Sequence, residues 1–293
     1  MDMSVLQAIF LGIVQGITEF LPVSSSGHLV IIKQLFGMET EGGLLFDVML
    51  HVGTLAAVFV VYWKDIRRMI LETLWICRDI VENIRIFLQN KKHHDALRYR
   101  KIIHNNYRKF VVLVLVSTIP TGIIGYAGQS LVTAAGKTLL VPGVCLLLSG
   151  ILLIVAQVSE DGHKIPRDVS YGNAFLIGIA QGLATLPGLS RSGTTITACL
   201  LSGFERRFAV KYSFIMSIPA IVGAAILELK DLGGEQVSAG LVGNCVAGGI
   251  VAAVTGFICM KTMLAAVRHK SFKGFATYCI AVGIVAIVMN FLI

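Results

Sequence analysis

Apolar residues in this chain gather into long runs, not into the short alternations that mark strands. The runs fall at about 4–21, 29–37, 46–63, 110–128, 139–157, 172–186, 194–203, 209–227, 239–260 and 273–292. Several approach the roughly 20 residues a helix needs to cross a bilayer. The pattern predicts an all-α integral membrane protein. Two stretches, 4–37 and 172–203, depart from it. Each is broken by Pro, Gly and Ser: LPVSSSGH at 21–28 and LPGLSRSGTT at 186–195. Polar, non-helical backbone at membrane depth survives only where protein or a watery cavity satisfies it. Both stretches therefore read as broken, re-entrant helical hairpins. A second reading lets 4–37 cross twice as short helices and leaves both its ends on one side.

The two broken stretches are copies of each other. A shift of 166 residues superimposes Ala8 on Ala174, Gly12 on Gly178, Ile13 on Ile179, Gln15 on Gln181 and Gly16 on Gly182. It also superimposes Ser24 on Ser190, Ser26 on Ser192 and Gly27 on Gly193. The run 46–63 then falls on 212–229, and 110–128 and 139–157 find partners in 239–260 and 273–292. The expected organisation is one polytopic domain over 1–293. Repeat 1 covers about 1–157 with an insertion at 64–109, and repeat 2 covers about 172–293. Each repeat is a broken hairpin plus three transmembrane helices.

Charge orients the repeats. Residues 64–109 carry 12 Lys/Arg against 5 Asp/Glu, nearly the whole net charge of +8. Basic loops beside spanning helices stay cytoplasmic, and this explains the charge without a nucleic-acid partner. With 64–109 inside, 129–138 lies outside and 158–171 inside. The basic stretches 204–211 and 261–272 return inside, and 228–238 lies outside. The first hairpin then enters from outside and the second from inside, so the repeats are inverted. In such folds the site forms near the midplane, where the repeats meet. The insertion reads as an interfacial cytoplasmic helix.

Composition agrees: 55% hydrophobic, 14% charged, mean hydropathy +0.79. A soluble domain carries about a quarter charged residues, and disorder needs low hydrophobicity. The six cysteines show no metal spacing and read as small apolar side chains. Residues 1–11 lack the basic start of a cleavable signal peptide. The pairs Gly12/Gly16 and Gly178/Gly182 read as close helix contacts.

Ionisable groups in apolar context are costly and usually functional. Here they are Glu19, His28, Asp47, His51 and Arg191. Glu19 and His28 flank the first Ser-rich turn, and Arg191 sits in the second. Asp47 and His51 are one helical turn apart and read as supporting residues or as helix-joining polar groups. A Ser/Gly turn that starts a helix presents N–H groups and hydroxyls to an anion. The candidate phosphate binders are Ser24, Ser26, Gly27, Ser190, Ser192, Gly193, Thr194 and Thr195. The fork of Arg191 makes phosphate the natural anion, and a carboxylate is the alternative. Ser25 or a neighbouring serine is the candidate to attack phosphorus, or to orient a water that does, with Glu19 or His28 taking the proton. Glu19 with Gln15, one turn away, makes a sparse site for a divalent cation (Mg or Ca) that the substrate would complete. Neither zinc spacing nor a GxxxxGK[ST] loop is present.

The motifs QGITEFLPVSSSGH (residues 15–28) and LPGLSRSGTT resemble the two signatures of the undecaprenyl-diphosphate phosphatase family, the bacitracin-resistance proteins. The resemblance covers nearly the whole chain. It implies hydrolysis of undecaprenyl diphosphate to the monophosphate and inorganic phosphate in a bacterial inner membrane, with the site facing outward. The product lipid re-enters cell-wall synthesis. Carried over, the acidic motif falls on Gln15 and Glu19, the serine on Ser25, the histidine on His28 and the phosphate-holding arginine on Arg191, with Ser190 and Thr195 beside it. Many members have Glu where Gln15 stands, which shifts the acid–base work to Glu19. The insertion 64–109 is longer than the family implies. The expected partners are a polyprenyl diphosphate and membrane lipids, with a homodimer as one assembly state. The competing function is a transporter or flippase of an anionic phospho-lipid using the same site.

Overall fold

A computed structural model describes residues 3–38, 43–93, 97–231, 239–268 and 271–292. Eleven α-helices run through them: α1 (Val5–Phe20), α2 (Ser25–Phe36), α3 (Gly43–His93), α4 (Asn106–Ala127), α5 (Gln129–Ala135), α6 (Leu140–Val158), α7 (Tyr171–Leu183), α8 (Arg191–Leu201), α9 (Arg206–Asp231), α10 (Ala239–Arg268) and α11 (Lys273–Leu292). Among the described residues there is no sheet, only one isolated bridge between Lys164 and Phe204. The stretch 129–138, expected as an outer loop, holds the short α5.

Five helices, α4, α6, α9, α10 and α11, are long and apolar enough to cross a bilayer, and the bent α3 makes a sixth candidate. The chain is a multi-pass membrane protein. The helices beside the two Ser-rich turns are shorter: 16 and 12 residues for α1 and α2, 13 and 11 for α7 and α8. At about 1.5 Å per residue, α2, α7 and α8 each stop well short of a bilayer core. Their starts are set by sequence. Ser4, Ser24, Ser170 and Ser190 each accept a backbone N–H with the side-chain oxygen at the N-cap, the role for which serine is preferred. Gly37, at φ +60°, ends α2 in the left-handed conformation that glycine tolerates.

Packing repeats with the sequence. Helix α1 lies along α10, and α7, its counterpart at the 166-residue shift, lies along α4. Both contacts are backbone-close. A Cβ at Gly12 would fall 2.5 Å from the carbonyl oxygen of Gly248, and one at Gly178 would fall 2.2 Å from that of Ser117. The counterparts α6 and α11 run antiparallel, with Gly143 against Gly283 and Gly150 against Ala276. The counterparts α3 and α9 touch at the bend of α3, where Tyr62 meets Phe214 and Asp65 pairs with Lys211. One apolar core, including Phe20, Tyr62, Phe204, Tyr212 and Phe214, joins the two halves.

Helix α3 bends by 89° at Tyr62, between an arm Leu45–Val61 and an arm Trp63–Lys92. The second arm begins the basic insertion. The chain then returns along it to Asn105, which caps α4 by accepting the N–H of Arg108.

Candidate active site

The two Ser-rich turns meet inside the bundle. A Cβ on Gly27 would lie 2.7 Å from the Cα of Gly188, and one on Gly193 would lie 3.4 Å from Pro22. At Gly27 only glycine allows this approach. Gly188 also takes φ +94°, where a side chain is strained. The turns are built alike: Ser24 accepts from the N–H of Gly27 at 3.3 Å, and Ser190 from that of Gly193 at 3.1 Å. Ser24 holds φ +70°, the one non-glycine residue at positive φ among those described. Such strain costs about 1–3 kcal/mol and persists where the surroundings impose it.

Glu19, at the end of α1, is the hub. One of its oxygens, Oε2, accepts from Ser25 Oγ at 2.5 Å and from Gln15 Nε2 at 3.0 Å. The other, Oε1, accepts from Nη2 of Arg191, across the join between the turns. Gln15 Nε2 also lies 3.0 Å from His51 Nδ1, which brings α3 to the cluster. His51 Nδ1 is 3.7 Å from Glu19. The carboxylate side chain is only 4% exposed, so its charge is answered by Arg191 rather than by water.

Two polar atoms of this cluster, Arg191 Nη1 and Gln15 Oε1, are buried and have no partner among the described residues, and so is Thr194 Oγ1 one turn along α8 from Arg191. A buried donor without a partner costs about 1–3 kcal/mol, more when charged. Arg191 thus gives Nη2 to Glu19, while its Nη1 has no partner among the described residues.

His28 is near but turned away. Its Nδ1 is 2.7 Å from the Ser24 carbonyl oxygen, so that nitrogen donates. Its Nε2 is 2.8 Å from the Tyr278 hydroxyl of α11 and accepts from it in the neutral ring. Sequence reasoning passed over Tyr278; it lies in an ordinary apolar run 250 residues from His28. Ser149 of α6 was also passed over; its hydroxyl binds both Gly188 O and Ser190 N and anchors the second turn.

Other candidate residues divide. Ser24 and Ser26 face each other at 3.4 Å, as do Ser190 and Ser192. Thr195 gives its hydroxyl to Arg191 O and meets Ser213 at 2.6 Å, so it ties α8 to α9. Asp47 is not brought to the cluster. Lys33 claims both its oxygens at 2.7 and 2.6 Å, in the last turn of α2.

For a divalent cation the donors are few. No group of three or more His, Cys, Asp or Glu side chains suited to a metal exists among the described residues. Glu19 and the unpartnered Gln15 Oε1 are the oxygens on hand, and they fit a cation only together with ligands from a substrate.

Comparison with known proteins follows this geometry. Residues 8–285 match the family described as "Bacitracin resistance protein BacA". A relative from Methanosphaera stadtmanae, named "Undecaprenyl-diphosphatase", is 38% identical over 288 residues, spanning 98% of this chain and 99% of the relative. Relatives of the same name from Desulfatibacillum aliphaticivorans and Bacteroides fragilis are 41% and 37% identical, each covering at least 97% of both chains. Matched along nearly its whole length, the chain belongs to the bacitracin resistance protein BacA family.

Proposed function

We propose that this protein hydrolyses undecaprenyl diphosphate at the join of the two Ser-rich turns. Family membership supplies the reaction, the release of inorganic phosphate and undecaprenyl phosphate. One observation carries the assignment of residues: Glu19 receives Ser25 from its own turn and Arg191 from the other.

The roles follow from these contacts. Ser25 Oγ attacks the terminal phosphorus, and its proton passes to Glu19, 2.5 Å away. The new bond joins Oγ to phosphorus. The bond to the bridging oxygen breaks, and undecaprenyl phosphate departs with the electron pair. Nη1 of Arg191, Thr194 Oγ1 and the N–H groups at the starts of α2 and α8 hold the equatorial oxygens. Glu19 hands its proton to the departing phosphate oxygen and is a carboxylate again. Water then attacks the phosphoserine and gives its proton to Glu19; the bond from phosphorus to Oγ breaks, Ser25 Oγ takes that proton back, and inorganic phosphate leaves. His28 is occupied by Ser24 and Tyr278 and fixes the turn's shape. A divalent cation, Mg or Ca, would be held by Glu19 and Gln15 Oε1 and would offset charge on the diphosphate.

Three features support inverted repeats with the first hairpin open to the outside. The counterpart pair α6/α11 runs antiparallel, and α1/α10 and α7/α4 pack as matching pairs. α2, α7 and α8 are too short to span a bilayer. The basic segment 64–109 favours the inside. This arrangement suits a carrier lipid whose diphosphate lies on the outer leaflet of the bacterial inner membrane, from which the product returns to cell-wall synthesis.

The test is phosphate release from undecaprenyl diphosphate by purified protein in detergent, for wild type, Glu19→Gln and Ser25→Ala, with and without EDTA. We expect turnover by wild type alone. Full turnover by folded Ser25→Ala would remove Ser25 as nucleophile. No release by folded wild type would move the weight to lipid transport. EDTA sensitivity decides for the cation.

A further inference from the structure

We infer that the second arm of α3, Trp63–Lys92, is a docking surface for the anionic lipid headgroups of the cytoplasmic leaflet. The 89° bend at Tyr62 turns this arm across the direction of the spanning arm Leu45–Val61. At about 1.5 Å per residue, it runs some 45 Å along the surface. A helix leaving a membrane span at a right angle lies in the plane of the interface.

The arm's faces are sorted. Ile66, Met69 and Ile76 are buried in the apolar core. The polar face is clamped by the returning chain. Asn83 exchanges hydrogen bonds with the backbone of Arg100, and Asn90 with that of Leu97. Arg108 binds Glu72 and Asp79. With that face held by the protein itself, the opposite face is fixed outward. It carries Trp63, Ile70, Leu74, Val81, Ile84 and Leu88, all exposed. Spaced by three, four or seven residues, these positions fall along one stripe. Soluble surfaces rarely expose so long an apolar stripe without a partner.

Charge selects the partner. Arg67, Arg78, Arg85 and Lys92 form a row along one edge of the stripe. A second copy of the same arm would bring two such rows together, and like charges flanking an apolar seam disfavour pairing. An anionic leaflet attracts them, and the long side chains reach phosphates while the stripe enters the acyl boundary. Nothing in this reasoning depends on the reaction proposed above.

The chain carries its own reporter, since its two tryptophans, Trp63 and Trp75, both lie on this arm. Full-length Trp63→Phe protein, with Trp75 alone, would be placed in vesicles of phosphatidylcholine, with or without about 30% phosphatidylglycerol. Quenching by lipid brominated near the headgroup is compared with quenching by aqueous acrylamide. The charge-reversed protein also carries Arg67→Glu, Arg85→Glu and Lys92→Glu; Arg78 stays, because it stacks on Trp75. These positions are remote from the turns, so unchanged phosphate release in detergent certifies the fold.

The expected result is bromolipid quenching at least about twofold stronger with phosphatidylglycerol than without, an excess lost on charge reversal and in high salt. Equal quenching in both lipids, or indifference to charge reversal, overturns anionic recognition. Quenching by acrylamide with none by bromolipid overturns membrane docking altogether. Oxidative cross-linking between copies through exposed Cys77, on the same stripe, would assign the surface to a second copy instead.

Discussion

Replacing Arg191 by lysine separates two tasks that the guanidinium now performs together. Nη2 donates to Glu19, while Nη1 is buried without a partner. Lysine keeps the charge but offers its donors from a single nitrogen, which cannot span both positions. The ammonium stays with the buried carboxylate, so the phosphate loses its charged hydrogen bond. Such bonds are worth about 1.5–3 kcal/mol. Loss of one donor aimed at developing charge costs about 10²–10³ in kcat. The ranges overlap near 10²-fold, or about 2.7 kcal/mol at about 1.36 per decade. We therefore expect Arg191→Lys to lower kcat/KM about 100-fold, measured by phosphate release in detergent. Thermal stability should stay close to wild type, because the pair with Glu19 persists. Arg191→Ala, by contrast, leaves the carboxylate buried and unpaired. That costs up to about 3–5 kcal/mol of stability, less here because Arg191 retains 17% of its side-chain exposure. Activity of folded Arg191→Lys within about threefold of wild type would refute the claim that Nη1 meets the phosphate.

Three other substitutions or conditions probe separate parts of the argument. Gly27→Ala places a methyl 2.7 Å from the Gly188 backbone, and forced overpacking of this kind costs about 1–3 kcal/mol; lower melting in detergent and lower turnover should appear together. Tyr278→Phe removes the hydroxyl that donates to His28, worth about 0.5–1.5 kcal/mol, so turnover should fall about threefold to tenfold with little change in KM. Acid should loosen the insertion before the bundle. Burial alone would raise Glu72, but hydrogen bonds from Arg108 and Asn105 outweigh it and hold its carboxyl below the ordinary range; the hydrogen bond from Arg108 holds Asp79 low likewise. Depressed carboxyls stabilise fully above their ordinary pKa values and lose that contribution as pH falls through the lowered ones. Protection from hydrogen exchange in 97–105, taken relative to the intrinsic rate at each pH, should thus fall below about pH 4, while protection in the buried helices holds.

How much of this was legible in the sequence depends on the range of the interaction. The helices, the two broken stretches and the repeat are local or periodic properties, and hydropathy writes them directly into the chain. Glu19, Ser25 and Arg191 announced themselves because charge and hydroxyl in apolar runs have few bland explanations. Asp47 shows where that reasoning ends. It shares a helix face with His51, yet only His51 turns to Gln15 and Glu19, because Lys33 on α2 lies within reach of Asp47. A partner on another helix decides between equivalent neighbours, and no pattern within one helix contains it. Tyr278 and Ser149 were hidden for the same reason, each meaning nothing until α11 and α6 were packed against the turns.

The repeat itself explains why the site has one working side. Under the 166-residue shift, Ser24 and Ser190 remain equivalent caps, and each still accepts the N–H three residues on. The chemistry between those caps has diverged. Ser25 corresponds to Arg191, Glu19 to Thr185 and His28 to Thr194. In the proposed mechanism one turn therefore supplies base and nucleophile, and the other supplies the guanidinium and a hydroxyl. Gln15 and Gln181 record the common ancestry, both buried with an unpartnered Oε1. Only Gln15 has a carboxylate one turn along to serve; Gln181 binds Thr121 and the Met216 carbonyl instead. Two copies of an anion-holding turn would make a symmetric binding site. Complementary halves make an asymmetric one, in which Ser25 of the first turn and Arg191 of the second converge on the single carboxylate of Glu19.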